Sequence, residues 1–247
     1  MIRLDQALVE RGLCESRERA KRSILAGQVR VNGHPARKPS DSVKPDDALN
    51  LDAAEKFVSR GGHKLEHALE HFQLDVNGLV ALDLGASTGG FTDCLLQHGA
   101  AKVFSVDVGR GQLAWKLRKD KRVVIMEKTN ARHLTAAQFP KPFAPADMAV
   151  IDCSFISLQK ILPAAVPLLK TDGKIIALIK PQFEAGRAEA DKGRGVITDA
   201  AIHDRVIQEL RDFVSTQAGL CWRNVVESPL LGPAGNKEFL VLIEKTR

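Results

Sequence analysis

No stretch of this chain approaches the ~18–20 uninterrupted apolar residues that a bilayer span requires. The opening Met1-Ile2-Arg3-Leu4-Asp5 has none of the apolar core of a secretory signal. A cytoplasmic protein is expected, not a secreted or membrane-spanning one. Cysteine is scarce: Cys14, Cys94, Cys153 and Cys221 lie far apart along the chain, so no pair has the close spacing of a zinc or redox motif. They read as reduced thiols, and no metal is expected. With 44% hydrophobic and 27% charged residues, the composition is that of a globular protein and excludes extensive disorder. A length of 247 residues allows one large α/β unit or two unequal domains.

Charge is unevenly placed. The chain carries 36 lysines and arginines against 30 acidic residues, and residues 1–40 hold nine basic side chains against Asp5, Glu10, Glu15 and Glu18. A basic terminal segment on a nearly neutral body suits contact with phosphates, the alternative being a solvated helix face. Leu4, Ala7 and Leu8 before Gly12, then Ala20, Ile24 and Leu25 after a Ser16 cap, have helical spacing. Val29 and Val31 alternate with polar residues up to the Asn32-Gly33 turn, and Ala48–Leu51 reads as a further strand. On the second helix Arg17 and Lys21 stand one turn apart, flanked by Arg19 and Arg22. No aromatic interleaves with them, which points to the backbone and shape of folded RNA and away from stacked single-stranded bases.

Arg3-Leu4-Asp5, Ala7-Leu8, Ser16-Arg17, Ala26-Gly27 and Val29-Arg30-Val31-Asn32-Gly33 together resemble the S4 RNA-binding domain. The resemblance implies Arg3, Arg17, Arg19, Lys21, Arg22 and Arg30 as RNA contacts. The expected S4-like domain is 1–58, with a linker over about 52–58. Residues 59–247 form the second domain, opening on Ser59-Arg60-Gly61-Gly62-His63-Lys64-Leu65, whose Arg60 is a further RNA candidate.

Beyond Leu79, strand-like segments at Val80–Leu84, Val103–Val108, Val123–Glu127, Met148–Asp152 and Ile175–Lys180 alternate with helical ones. A final pair follows near Arg223–Glu227 and Glu238–Glu244. This alternation predicts a Rossmann-like, mostly parallel, doubly wound α/β sheet. The Asp83–Phe91 segment places Gly85, Ser87, Gly89, Gly90 and Phe91 where the first strand turns into a helix, and glycines there let a nucleotide-like ligand approach the backbone. Asp107 ends the next strand, where a carboxylate can accept both ribose hydroxyls; Asn130 follows the third strand as an adenine contact. A nicotinamide cofactor and S-adenosylmethionine both suit such a turn. Asp83 stands two residues before Gly85, in the D-x-G-x-x-x-G manner typical of S-adenosylmethionine enzymes, and the spaced G-x-G-x-x-G of dinucleotide binders is missing.

Asp152 and Lys180 close apolar strands, and Glu238 opens the last one; if that strand is antiparallel to its predecessor, all three meet at one sheet edge. With Lys64 they resemble the K-D-K-E tetrad of ribose 2′-O-methyltransferases. Together with Thr129-Asn130-Ala131-Arg132, Ser154-Phe155-Ile156-Ser157, Lys180-Pro181-Gln182-Phe183-Glu184 and Gly235-Asn236-Lys237-Glu238, the chain resembles the haemolysin A (TlyA) family over nearly its whole length. The resemblance implies S-adenosylmethionine as cofactor and the ribose 2′-hydroxyl of cytidine in ribosomal RNA as target, with ribosomal RNA or a ribosomal subunit as partner. No obligate protein partner is evident. Longer members extend beyond the last strand and this chain stops at Arg247, so large-subunit RNA is the expected target. A lysine at pKa ~10.4 becomes a usable base when burial and a second ammonium lower it toward ~7–8. Lys180 is the candidate base and Lys64 the binder of the developing alkoxide. Asp152 would hold Lys180, and Glu238 would orient Lys64 or the ribose.

Several features have competing readings. His67-Ala68-Leu69-Glu70-His71 matches the H-x-x-E-H pattern of inverted zinc peptidases, but leads into a nucleotide-binding fold and is read as accidental. Cys153 reads as a small buried thiol and not as the nucleophile of a base methyltransferase. The Pro181–Asp199 connection, with Arg187, Lys192 and Arg194, suits a mobile lid or a solvated loop. Trp115 and Phe91 are expected as core or cofactor-wall residues. The family name also raises a cytolytic membrane-active protein, against which the lack of an apolar amphipathic helix counts. A non-catalytic RNA-binding assembly factor is disfavoured by the complete tetrad.

Overall fold

The computed structural model describes residues 1–52 and 55–246, without the side chains at 187 and 188. Ala53 and Ala54 of the expected linker, the Arg187 side chain and Arg247 therefore lie outside the described residues. The chain divides into two units between Lys56 and Phe57.

In the first unit, β1 (Ile2–Arg3) runs directly into α1 (Leu4–Glu10). After these come α2 (Arg17–Leu25), β2 (Val29–Val31), β3 (His34–Pro35), β4 (Ser42–Val43) and β5 (Leu49–Leu51). The Ser16 hydroxyl caps α2 by accepting the Arg19 N–H at 3.2 Å. One face of each helix, with Leu4, Ala7, Leu8, Ala20 and Ile24, closes over Val29, Val43 and Leu49. Asn32 (φ 51°) and Gly33 (φ 82°) both adopt left-handed backbone, as a two-residue hairpin that pairs Val31 with His34 requires. Strands β3, β2 and β5 form a three-stranded sheet, and β1 pairs with β4.

The second unit contains α3 (Gly61–His71), β6 (Val80–Leu84), α4 (Gly90–Gln97), β7 (Lys102–Val106), α5 (Trp115–Arg118), β8 (Val123–Met126) and β9 (Ala146–Ile151). It continues through α6 (Leu162–Ala165), β10 (Leu169–Ile179), α7 (Pro181–Glu184), α8 (Arg187–Lys192), α9 (Ala200–Thr216), β11 (Leu220–Glu227) and β12 (Phe239–Lys245). The seven strands lie in the order β11-β12-β10-β9-β6-β7-β8. Strand β12 is antiparallel to both neighbours, whereas β10-β9, β9-β6, β6-β7 and β7-β8 are parallel. Side chains alternate between two buried layers: Leu82, Ile151 and Ile175 face one core, while Ala81, Val150 and Ile176 face the other. The strand expected at Ile175 in fact begins at Leu169, its register shifting against β9 between Leu169 and Lys174. Among the described residues no helix is long and apolar enough to cross a membrane.

Two expectations need correction. Phe57 and Val58, read as linker, belong to the second unit: Phe57 is buried in its core, and the Val58 N–H donates to Asp93 Oδ2 at 2.8 Å. The long Pro181–Asp199 connection is not a plain loop, because it carries α7 and α8. The buried Asn236 fastens it, donating to the Gly195 carbonyl and accepting the Ile197 N–H, each at 2.8 Å.

The start of α3 lies against α4 through glycines. A Cβ on Gly90 would come within 2.3 Å of Ser59 Oγ and 2.9 Å of the Gly62 nitrogen, and one on Gly62 would strike the Phe57 ring at 2.2 Å. Backbone meets backbone here, so relief requires moving a helix, and α3 is the helix that carries Lys64. Gly90→Ala is expected to destabilise the protein by about 1–3 kcal/mol through overpacking, read as a lower urea midpoint with an unchanged m-value.

Candidate active site

The charged residues sit one position beyond the strands that deliver them. Asp107 follows β7, Asp152 follows β9 and Lys180 follows β10, all at carboxyl ends, while Asp83 is the penultimate residue of β6. Glu238 immediately precedes β12, and the antiparallel pairing of Phe239 with Ile179 brings it to the same edge. Strand β6 lies between β7 and β9, where the strand order reverses; a crevice opens there in such sheets.

Two cavities share that edge. The larger, about 440 Å³, is lined by Asp107, Asn130 and Phe155 among others; the smaller, about 280 Å³, by Arg60, Lys64, Asp83, Phe91, Lys180 and Glu238. Gly85, Ser87, Asp152 and Ser154 line both, so they are two parts of one cleft. Gly85 (φ 89°) must be glycine, since a Cβ would stand 2.6 Å from the Asp152 carbonyl oxygen. Both Asp107 oxygens are held by backbone, Oδ2 accepting the Ser87 N–H at 2.8 Å and Oδ1 the Gly109 N–H at 2.7 Å. Among the residues lining the larger cavity the only charged side chains are Asp107 and Asp152.

In the smaller cavity the charges pair. Lys64 Nζ lies 2.5 Å from Glu238 Oε2, both side chains buried, and Lys180 Nζ lies 2.6 Å from Asp152 Oδ1. Lys180 also donates to Ser154 Oγ at 2.9 Å. Asp83 is fully buried: its Oδ2 accepts the Thr92 N–H at 2.9 Å and hydroxyl at 2.6 Å, while Oδ1 has no hydrogen-bond partner among the described residues. Burial, augmented by the Asp152 and Asp107 charges and opposed by Thr92, pushes its carboxyl up to about 7.

This arrangement can hold a nucleoside-like ligand beside two lysine–carboxylate pairs. The FtsJ-like methyltransferase profile matches residues 57–245, and the S4 domain profile matches 2–49. A Mycobacterium tuberculosis protein named 16S/23S rRNA (cytidine-2′-O)-methyltransferase TlyA is 46% identical over 97% of this chain and 88% of its own. A Campylobacter jejuni 23S rRNA (cytidine-2′-O)-methyltransferase TlyA is 33% identical over 82% and 79%. The chain belongs to the TlyA family of FtsJ-like methyltransferases. A solved structure from Streptococcus thermophilus, 44% identical, covers 99% of this chain and 88% of that one with a TM-score of 0.75.

Most residues expected to build a TlyA-type site line the cleft: Lys64, Asp83, Gly85, Ser87, Gly90, Phe91, Asp107, Asn130, Asp152, Lys180 and Glu238, with Arg60 at the smaller cavity. Gly89 does not. A Cβ there would meet Leu117 at 2.3 Å, so it serves packing of α5. Asn130 uses its Oδ1 to accept the Arg132 N–H at 3.0 Å. Trp115, expected in the core or cofactor wall, is 68% exposed at the start of one-turn α5, with the Lys119 ammonium 4.8 Å from its ring centre. Phe91 is buried. His67 and His71 have ring centres 6.1 Å apart, and no three metal-ligating side chains cluster among the described residues. Burial pushes the Cys153 thiol up to about 12, which disfavours the thiolate a nucleophile needs.

The basic residues of the S4 unit divide in two. Arg3 and Arg17 are both engaged by the buried Asp5, at 3.0 and 3.1 Å; Lys21 pairs with Glu18 and Arg30 with Asp52. Arg19 and Arg22 are exposed. Sequence reasoning missed Ser154 as the second partner of Lys180, although its position two residues after Asp152 was a usable signal. It also missed Phe155, 90% exposed at the cleft with φ 62°.

The Asp83 shift has a pH signature. An unfolded aspartate loses its proton near 3.9, while folded Asp83 keeps it to about 7. The folded state therefore binds more protons across that window, and this stabilising contribution is lost as pH rises through it, up to about 4 kcal/mol in all. Wild type is expected to lose more stability than Asp83→Asn between pH 5 and pH 8 in urea titrations.

Proposed function

We propose that this protein transfers the methyl group of S-adenosylmethionine to the ribose 2′-hydroxyl of a cytidine in large-subunit ribosomal RNA. The convergence of Lys64, Asp152, Lys180 and Glu238 on one cavity carries this reading. The two relatives named as cytidine-2′-O-methyltransferases share the 23S target, which supports the large subunit.

The residues fit the cofactor. Asp83, Asp107 and Asp152 surround the Gly85 bend, and Asp83 Oδ1 is a buried acceptor left open for a cationic group. A dinucleotide diphosphate would meet these carboxylates unfavourably. Asp107 would accept the ribose hydroxyls, and Asp152 and Asp83 would face the positive charges of the methionine part. When bound, the cofactor supplies an electrophilic methyl on a sulfonium. The protein then has to hold the target oxygen in line and take its proton. Lys180, held by Asp152, first gives up its ammonium proton to solvent and, as the neutral amine, accepts the 2′-hydroxyl proton, while Lys64, held by Glu238, stabilises the developing alkoxide. Each lysine retains a carboxylate partner, so the cavity stays near neutral before the RNA enters. In the S4 unit, Arg19 and Arg22 face solvent and would meet phosphates; Arg3, Arg17, Lys21 and Arg30 remain candidate contacts beside their acidic partners.

Incubation with ribosomal subunits and labelled S-adenosylmethionine should yield one labelled large-subunit cytidine whose 3′ linkage resists alkaline cleavage. Label on a base, or none, refutes the reading. Lys180→Ala should bind the cofactor as wild type does yet lose methyl transfer. Retention of more than a tenth of the turnover, a barrier change below ~1.4 kcal/mol, removes Lys180 as the base. Charge reversal of Arg19 and Arg22 together should weaken RNA binding and lower the slope of log affinity against log salt by about two, while turnover at saturating RNA is maintained.

A further inference from the structure

We infer that Ser154 is a positioning residue for the transfer reaction: its hydroxyl and the Asp152 charge together fix the direction in which Lys180 Nζ faces the cleft. The inference rests on the reading of Lys180 as the base and concerns how that base is aimed.

Lys180 Nζ has two oxygen neighbours of different kinds. Asp152 Oδ1, at 2.6 Å, is a charged ion-pair partner. Ser154 Oγ, at 2.9 Å, is a neutral acceptor of a directed hydrogen bond. Charge pairing alone draws the nitrogen toward Asp152 and leaves rotation about Cε–Nζ open. A tetrahedral amine bonded to Cε has three remaining positions, and donation to Ser154 fixes one of them. The Asp152 charge attracts a hydrogen and repels electron density, so the second hydrogen turns toward it and the lone pair of the neutral amine takes the third position. Asp152, Ser154 and Lys180 all line the smaller cavity. When the 2′-hydroxyl proton moves to the lone pair, the resulting ammonium retains both neighbours and directs its new N–H at the ribose oxygen.

The surrounding chain is built to hold this serine. The next residue, Phe155, has φ 62°, a left-handed backbone that a bulky side chain adopts only when its surroundings impose it. Its ring packs on Phe183 of α7 with centres 5.0 Å apart. Three residues further on, the Leu158 N–H donates to Glu184 Oε1, also of α7, at 2.8 Å. The segment after β9 and the turn after β10 are thus joined at Asp152 and Ser154 to Lys180, at Phe155 to Phe183 and at Leu158 to Glu184. Ser154 and Lys180 are held in register from both sides.

The test compares Ser154→Ala, Ser154→Thr and Lys180→Ala under single-turnover conditions with saturating cofactor and RNA. Ser154→Ala should lower the methyl-transfer rate at least tenfold while cofactor Kd changes less than twofold; Ser154→Thr, which keeps a hydroxyl, should recover most of the rate. Loss of an acceptor disfavours the ammonium relative to the amine, so the acidic limb of the rate–pH profile should move to lower pH in Ser154→Ala. The other charged groups of this cavity, Arg60, Lys64, Asp83, Asp152 and Glu238, are unchanged by the substitution. A Ser154→Ala rate within twofold of wild type, an unmoved limb, or a loss confined to cofactor affinity overturns the inference. If Lys180→Ala remains active, the base assignment itself fails; if Lys180→Ala is inactive and Ser154→Ala is normal, only the role of Ser154 falls.

Discussion

Two ammonium groups share one largely buried cavity, and the structure around them follows from the need to neutralise both. An isolated buried charge is costly, and removing one partner of a buried pair leaves the other uncompensated. Lys64 therefore requires Glu238, and Lys180 requires Asp152. The pairing also suits the proposed chemistry, in which an amine beside a carboxylate would exchange a proton without the cavity acquiring a large net charge. Asp83 is the exception, a fully buried carboxyl with no ion-pair partner among the described residues, and its burial raises its pKa.

Delivering four such groups to one place falls to the sheet. A parallel strand buried on both faces has little freedom in its interior, but the residue just beyond its end turns its side chain into the crevice while its backbone is still tied to the sheet, as the Asp107 N–H is to the Met126 carbonyl at 3.0 Å and the Asp152 N–H to the Leu84 carbonyl at 3.0 Å. Asp107, Asp152 and Lys180 occupy that position on three strands. The antiparallel insertion of β12 between β10 and β11 brings Glu238 to the edge that the carboxyl ends already define. Lys64 arrives by another route, on a helix whose close approach to α4 depends on Gly62 and Gly90.

The parallel strands were legible in the sequence because both faces are apolar, and the turn after β6 because glycine is demanded there by the nearby Asp152 carbonyl. The tetrad was legible because each member flanks an apolar run or a distinctive motif. What escaped were features set by tertiary contact. Gly89 looked like part of a ligand turn, but it makes room for Leu117. Trp115 looked like core, yet a single-turn helix has too little buried face to cover it. The acidic partners of Arg3 and Arg17 could not be read from charge counting, since Asp5 is one residue among four acidic ones until folding buries it between the two guanidinium groups. Ser154 stands in a recognisable motif two residues after Asp152, but its tie to Lys180 is set by the distance between two strand ends, which the sequence does not give.

The Lys64–Glu238 pair joins residues 174 positions apart, nearly the whole span of the second unit. During synthesis the chain emerges from its amino terminus, so Lys64 enters the nascent protein long before its counter-charge exists. A partly translated domain cannot bury that ammonium at low cost, and it lacks the strand that orients it. A cleft with both lysine–carboxylate pairs in place thus requires the full span of the second unit, because Glu238 is delivered only with β12, the strand seated between β10 and β11.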